Sequence, residues 1–318
     1  MPVYDGFVGS ADAAACHLPT NSIGIVLLIA LLLIALAGFG AQMVDGSLGM
    51  GYGVTSSTLL IAIGLAPAAA SASVHFAELG TTAVSAYSHV RLGNVDKTVL
   101  RRIAIPGAVG AFVGATVLAG LSTQAARPWA SGLLLILGVY VLIRFSRHRT
   151  VTLRKGRPGT KLLIPLGLVG GFVDATGGGG WGPVTTPALM VDGRMTPNRV
   201  VGTMNTAEFA VSLAASIGFI IALGFSALDW RILVPLLLGG VIAAPIAARV
   251  THVLPMRIMG VAVGGLIIVT NSYTLLRAAG ASGQTQGIVM VCLLAGWAAA
   301  VTVVSVQHRR ARALTSAT

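Results

Sequence analysis

The sequence predicts an all-α polytopic membrane protein. Two inverted-topology repeats build it, each a re-entrant, glycine-tipped helical hairpin followed by three transmembrane helices, and one extra C-terminal helix closes the chain. Three observations lead there: sparse charge between long apolar runs, an internal repeat, and the placement of the basic residues.

Of the 318 residues, 55% are hydrophobic and 9% charged, against about 25% charged in an ordinary soluble domain. Apolar runs recur at about the 20 residues a membrane-spanning helix needs. The net charge is +12, but the bases sit in short stretches between apolar spans and lack an aromatic-interleaved surface, which excludes a nucleic-acid partner. Cys16 and Cys292 supply neither a disulfide framework nor metal-ligand spacing. No Lys or Arg precedes the first apolar run, so the N-terminus does not read as a signal peptide.

The elements follow in order. Residues 1–20 form an extracytoplasmic tail, 21–146 the first repeat, 147–160 a basic cytoplasmic linker, and 161–280 the second repeat. Residues 281–318 hold the final helix and a basic cytoplasmic tail. The first hairpin arm, Ser22 to Val44, is long enough to span; the arm from Lys161 to Asp174 covers about 20 Å, short of a core of roughly 30 Å. The last helix has no repeat partner; it restores a cytoplasmic C-terminus or packs a homodimer.

The repeat shows when two glycine stretches are aligned without gaps at an offset of 129. Asp45 then falls on Asp174, Ser47 on Thr176, and Gly49, Gly51 and Gly53 on Gly178, Gly180 and Gly182. Tyr52 falls on Trp181, and Ser56 and Ser57 on Thr185 and Thr186. At an offset of 130 the match resumes: Pro67 with Pro197, Ser73 with Thr203, His75 with Asn205, Glu78 with Glu208. Asp96 meets Asp229 further on. A shared register at so many polar positions marks a duplication.

The bases orient it. If each glycine segment is a hairpin that enters and leaves on one side, 18 Lys and Arg are cytoplasmic and 3, Arg127, Arg231 and Arg277, lie outside. If the second segment crosses once, the split is 13 to 8. The positive-inside rule favours the hairpins. The repeats are then inverted, as in many secondary transporters, with the N-terminus outside the cytoplasmic membrane and the C-terminus inside.

Non-helical backbone within a bilayer must be buried in protein or line a wet cavity. Glycine suits a tip, and the helix that restarts after it has unpaired N–H groups. Pro183 and Pro187 fit a helix start. Two such starts meeting near the midplane would hold a small anion. The candidate substrate-binding residues are therefore Ser47, Gly49, Gly51, Gly53, Ser56, Ser57, Thr176, Gly178, Gly180, Trp181, Gly182, Thr185, Thr186, Thr203 and Asn205. Gly110/Gly114 and Gly260/Gly264 have the small-xxx-small spacing of simple helix packing. "GGGGWG" lacks the Lys-Ser/Thr of a phosphate loop.

Four acidic residues fall within apolar segments, Asp45, Glu78, Asp174 and Glu208, and form two repeat-related pairs. His75 lies one turn from Glu78, as a proton partner. Asp45 and Asp174 also suit a simpler task, holding the amides of their own turns. Carboxylates beside an anion imply a coupling ion, H⁺ or Na⁺; no other cofactor and no catalytic or metal centre is expected.

The chain resembles the TauE/SafE family of sulfite and organosulfonate exporters. "GGGGWGPVTTPAL" in the second repeat and "SHVRLGNVDKTVLRRIAIPGAVGAFVGA", Ser88 to Ala115, carry the resemblance, which spans most of residues 23–280. It implies export of small sulfur-containing or organic anions driven by the membrane potential or a proton gradient. The first glycine stretch, "VDGSLGMGYGVTSSTLL", departs by lacking the glycine run and the proline after it. A cation/proton antiporter fits the carboxylates but not the glycine tips. An intramembrane aspartyl protease needs two aspartates, but neither Asp45 nor Asp174 follows Gly-x-Gly.

Overall fold

The computed structural model describes residues 20–48, 50–147, 154, 156–225, 228–250 and 256–315. Among them the chain forms eleven helices and no strand. α1 (Thr20–Leu48) and α2 (Tyr52–Ala62) precede α3 (Pro67–Arg91), α4 (Lys97–Gly120) and α5 (Thr123–Ser146). The order then recurs: α6 (Thr160–Gly177) and α7 (Trp181–Asp192), followed by α8 (Pro197–Leu223), α9 (Trp230–Val250) and α10 (Met256–Ala278). α11 (Gly283–Thr315) comes last. All but the final residue of the expected N-terminal tail lies outside the described residues.

Six of these helices, α1, α4, α5, α8, α10 and α11, are long and apolar enough to cross a membrane. Large apolar side chains face outward along α1 (Ile25, Leu28, Leu32, Leu36) and α11 (Ile288, Val291), as a lipid-facing surface requires. α3 is more polar, and its polar residues point inward: Ser71, Ser73, His75 and Glu78 are all buried.

Local chemistry sets the boundaries. Pro67 and Pro197, a repeat-related pair, open α3 and α8 in the first turn, where a missing N–H costs nothing. Asp96 caps α4, accepting from the Thr98 and Val99 amides at 2.9 and 3.2 Å. Its counterpart Asp229 accepts from the Arg231 amide at 2.9 Å as α9 begins. α6 ends at Gly178, whose φ of 75° suits a residue without Cβ. Pro187 lies inside α7 rather than at its start. Its absent N–H would face Pro183, so the proline pair removes one bond from an already short helix.

The two halves interleave. α4 lies along α6, and correspondingly α9 lies along α1; α3 packs on α8, and α5 on α10. Glycines permit the close approaches. A Cβ on Gly38 would sit 2.3 Å from the Leu236 carbonyl oxygen, and one on Gly167 2.7 Å from that of Ile103. These are one contact made twice, since Gly38 and Gly167 differ by 129 positions and Ile103 and Leu236 by 133. The packing expected of Gly110, Gly114, Gly260 and Gly264 is present: their added Cβ atoms would meet Leu168, Phe172, Phe145 and Leu142. Such small-residue contacts hold helices together where lipid removes the usual hydrophobic drive.

Candidate functional site

Both glycine stretches break a helix, and the breaks touch. α1 stops before Gly51, which has φ 130° and precedes α2. α6 stops at Gly178, and α7 restarts after Gly180. A Cβ on Gly53 would lie 2.4 Å from Gly179 Cα, and one on Gly179, where φ is 150°, only 1.9 Å from the Val54 nitrogen. Backbone meets backbone here, so the starts of α2 and α7 lie against each other. The Ser57 hydroxyl donates to the Gly178 carbonyl, and the Ser71 hydroxyl donates to the Ala175 carbonyl at 2.7 Å.

Asp174 organises the second break. Its carbonyl accepts from the Gly178 and Gly179 amides at 2.7 and 2.9 Å. Its Oδ1 accepts from the Trp181 amide at 2.9 Å, so a carboxylate occupies the positive end of α7. The Tyr52 amide is likewise the backbone partner of Asp45. The simpler task foreseen for these aspartates, holding their own turns, is therefore performed.

The remaining Asp174 oxygen, Oδ2, lies 3.2 Å from His75 Nε2. The sequence suggested Glu78 as the histidine's partner; the structure pairs it with Asp174 from the other half instead. Partner choice follows from α3 passing the second break, which helical spacing alone does not reveal. Glu78 Oε2 accepts from the Ser212 hydroxyl at 2.9 Å, while Oε1 is buried without a partner. A Cβ on Gly53 would lie 2.9 Å from that oxygen, so it points at the crossing of the two breaks. One polar atom each from His75, Glu78 and Asp174 lies within 4.8 Å of the other two. Asp45 and Glu208 are also buried, and among the described residues no Lys or Arg is buried with them. With every carboxylate less than a tenth exposed, the site is occluded.

The other candidates divide. Ser56 Oγ and its neighbour Thr55 Oγ1 are buried without a partner. Thr176 and Thr185 bond back to the Phe172 and Trp181 carbonyls at 2.7 and 2.6 Å, within their own segments. Thr186 and Gly182 are buried in α7. Trp181 is fully buried, its indole donating to the Met204 carbonyl at 3.1 Å and filling the space left by Gly107. Its side chain fastens α7 to α4 and α8. Asn205 donates to Ser85 at 3.3 Å. Gly49 and the side chain of Ser47 lie outside the described residues.

Thr203 serves a different place. It accepts from the Asp96 amide at 3.0 Å, where the α3–α4 loop meets α8. There Arg157 of the linker reaches Asp96 Oδ2 at 2.9 Å. Burial pushes the Asp96 carboxyl up, but the Val99 and Thr98 amides and the Arg157 guanidinium outweigh it and hold the group below its usual value. Sequence reasoning missed Ser71 and Ser212. Each has a signal only in hindsight, one helical turn from His75 and from Glu208 respectively.

The family described as Sulfite exporter TauE/SafE matches residues 14–274. The chain belongs to the TauE/SafE family. It is similar to Probable membrane transporter protein YtnM of Bacillus subtilis (strain 168), 47% identical over 273 residues, covering 85% of this chain and 91% of the relative. A second relative from the same organism, Probable membrane transporter protein YdhB, is 26% identical over 234 residues, 73% of this chain and 91% of the relative. No solved structure matches. This TauE/SafE protein is accordingly a multi-pass membrane transporter and not an enzyme, which sets the aspartyl-protease reading aside.

Proposed function

We propose that this TauE/SafE protein exports a small sulfur-containing or organic anion, sulfite or an organosulfonate, by alternating access. The observation that carries the reading is the contact of the two helix breaks through Gly53 and Gly179; in this reading the positive ends of α2 and α7 converge on one buried point. The first amide of each short helix, Tyr52 and Trp181, already has its aspartate. The anion is left the next amides, those of Gly53 and Gly182, and the unpartnered hydroxyls of Thr55 and Ser56. Removing those hydroxyls from water without a partner costs free energy that a bound anion would recover.

In this reading the two halves are inverted and each break is the tip of a re-entrant hairpin. The duplicated glycine contacts and the charge split of 18 to 3 support it. The carboxylates couple anion movement to H⁺ or Na⁺. The four buried carboxylates, with no Lys or Arg buried beside them among the described residues, also favour a second reading, a cation/proton antiporter. One experiment separates the two: radiolabelled sulfite flux into proteoliposomes with imposed pH, Na⁺ and voltage gradients, and with taurine and sulfoacetate as competitors. Saturable, gradient-driven sulfite flux supports the exporter. Loss of a proton gradient on adding Na⁺ or K⁺, with no anion flux, supports the antiporter.

A further inference from the structure

The hydrogen bonds around His75 fix where its protons are. Nδ1 lies 2.7 Å from the Ser71 carbonyl oxygen, which can only accept. The Ser71 hydroxyl, 3.3 Å from the same nitrogen, has one proton and directs it to the Ala175 carbonyl. Both neighbours of Nδ1 are therefore acceptors, and Nδ1 carries hydrogen. In a neutral ring Nε2 would then present a lone pair, yet it faces Asp174 Oδ2 at 3.2 Å. Two lone pairs do not attract. The contact requires a proton between them, as imidazolium with carboxylate or as imidazole with carboxylic acid.

The surroundings demand the same. Asp45 from α1, Tyr52 from α2, His75 and Glu78 from α3, Asp174 from α6 and Glu208 from α8 act on one another electrostatically. Four buried carboxylates, with no Lys or Arg buried beside them among the described residues, cannot all stay ionised in a dry interior. The Phe219 ring stands 6.0 Å from the imidazole, centroid to centroid, and keeps that side apolar.

We propose that the ion moved with the anion is a proton, seated between His75 Nε2 and Asp174 Oδ2, with Glu78 Oε1 as its next acceptor. This rests on the anion-transport reading above. A hard cation such as Na⁺ takes oxygen ligands, whereas this seat has an imidazole nitrogen on one side. When the proton leaves, the Nε2–H bond breaks and a bond to Glu78 Oε1 forms; the imidazolium becomes neutral imidazole and the Glu78 carboxylate becomes a carboxylic acid. Net charge is unchanged. The contact between α3 and α6, one helix from each half, turns from attractive to repulsive, so the proton's departure loosens the closed crossing.

The test uses the full chain in proteoliposomes loaded with a pH-reporting dye, with methanesulfonate, a sulfonate that stays ionised near neutral pH, as the anion probe. The expected result is proton movement in fixed ratio to anion movement, unchanged when Na⁺ is replaced by choline. Glu78→Gln should lose the proton movement. Anion flux driven by a Na⁺ gradient and indifferent to pH overturns the proposal. If the wild type moves no anion, the transport reading fails, and the proton seat is still decided by the ¹⁵N signals of labelled histidine, with His75→Asn assigning the resonance. An Nε2 bonded to or sharing a proton, insensitive to Na⁺, supports the seat. A bare Nε2 lone pair, or a signal that shifts with Na⁺, overturns it.

Discussion

Gly179→Ala tests the crossing directly. Gly179 has φ 150°, where an L side chain is strained by about 1–3 kcal/mol. Its new Cβ would stand 1.9 Å from the Val54 nitrogen, 2.1 Å from Gly53 C and 2.5 Å from Gly53 Cα. These are backbone atoms, with no flexible side chain to swing aside, so α2 must shift; such overpacking typically costs about 1–3 kcal/mol more. The sum, about 2–6 kcal/mol, is a large part of the 5–15 kcal/mol or so that holds an ordinary domain together. Gly40→Ala is the control, since nothing lies within 4 Å of its Cβ and Gly-to-Ala inside a helix gains roughly 0.5–1 kcal/mol. The assay is thermal unfolding in detergent at a fixed scan rate, because unfolding of such proteins is commonly irreversible and only the order of midpoints is meaningful. The expected order is Gly40→Ala at or above wild type, with Gly179→Ala well below both and without anion flux. A Gly179→Ala protein that unfolds and transports like wild type would refute the contact between the breaks.

Asp174→Asn should keep its stability within about 1 kcal/mol of wild type, because its amide oxygen still accepts from Trp181 and its NH₂ donates to the His75 Nε2 lone pair; Asp174→Ala, losing two charge-assisted bonds, should fall by roughly 2–5 kcal/mol. Both are read as unfolding midpoints, and equal losses in the two variants would contradict the bonding pattern. The depressed Asp96 carboxyl stabilises the fold fully above its ordinary value of 3.8 and loses that contribution as pH falls through the lower folded value. Wild type should therefore lose more stability than Asp96→Asn on acidification below about pH 4, by no more than roughly 1 kcal/mol given the exposed Arg157; parallel curves would speak against it. In a background with Cys16 and Cys292 replaced by Ser, an impermeant thiol reagent added outside cells should label Arg127→Cys and spare Lys97→Cys. The reverse pattern would invert the topology.

Much of this architecture was legible because it rests on periodic or repeated signals. The offsets of 129 and 130 anticipate the recurrence of two broken helices and three long ones, and proline and glycine mark the ends of α3, α6 and α8 without help from tertiary contacts. The roles of Asp45 and Asp174 could also be read locally, since each serves an amide seven residues on. The partner of His75 could not. Helical spacing places Glu78 nearest in sequence, whereas the bond to Asp174 exists because α3 crosses the break between α6 and α7, a consequence of how two halves interleave rather than of either half alone. Thr203 shows the same limit in reverse: its repeat position suggested the centre, but only the fold brings the α3–α4 loop against α8 and gives its hydroxyl to the Asp96 amide. Glu78 Oε1 joins the two levels. Its place in the chain marked an intramembrane acid, and the interleaving of the halves turned one of its oxygens toward the point where both breaks meet and left that oxygen without a bond. A buried carboxyl oxygen in that state costs free energy, and in the mechanism proposed above the arriving proton would offset that cost.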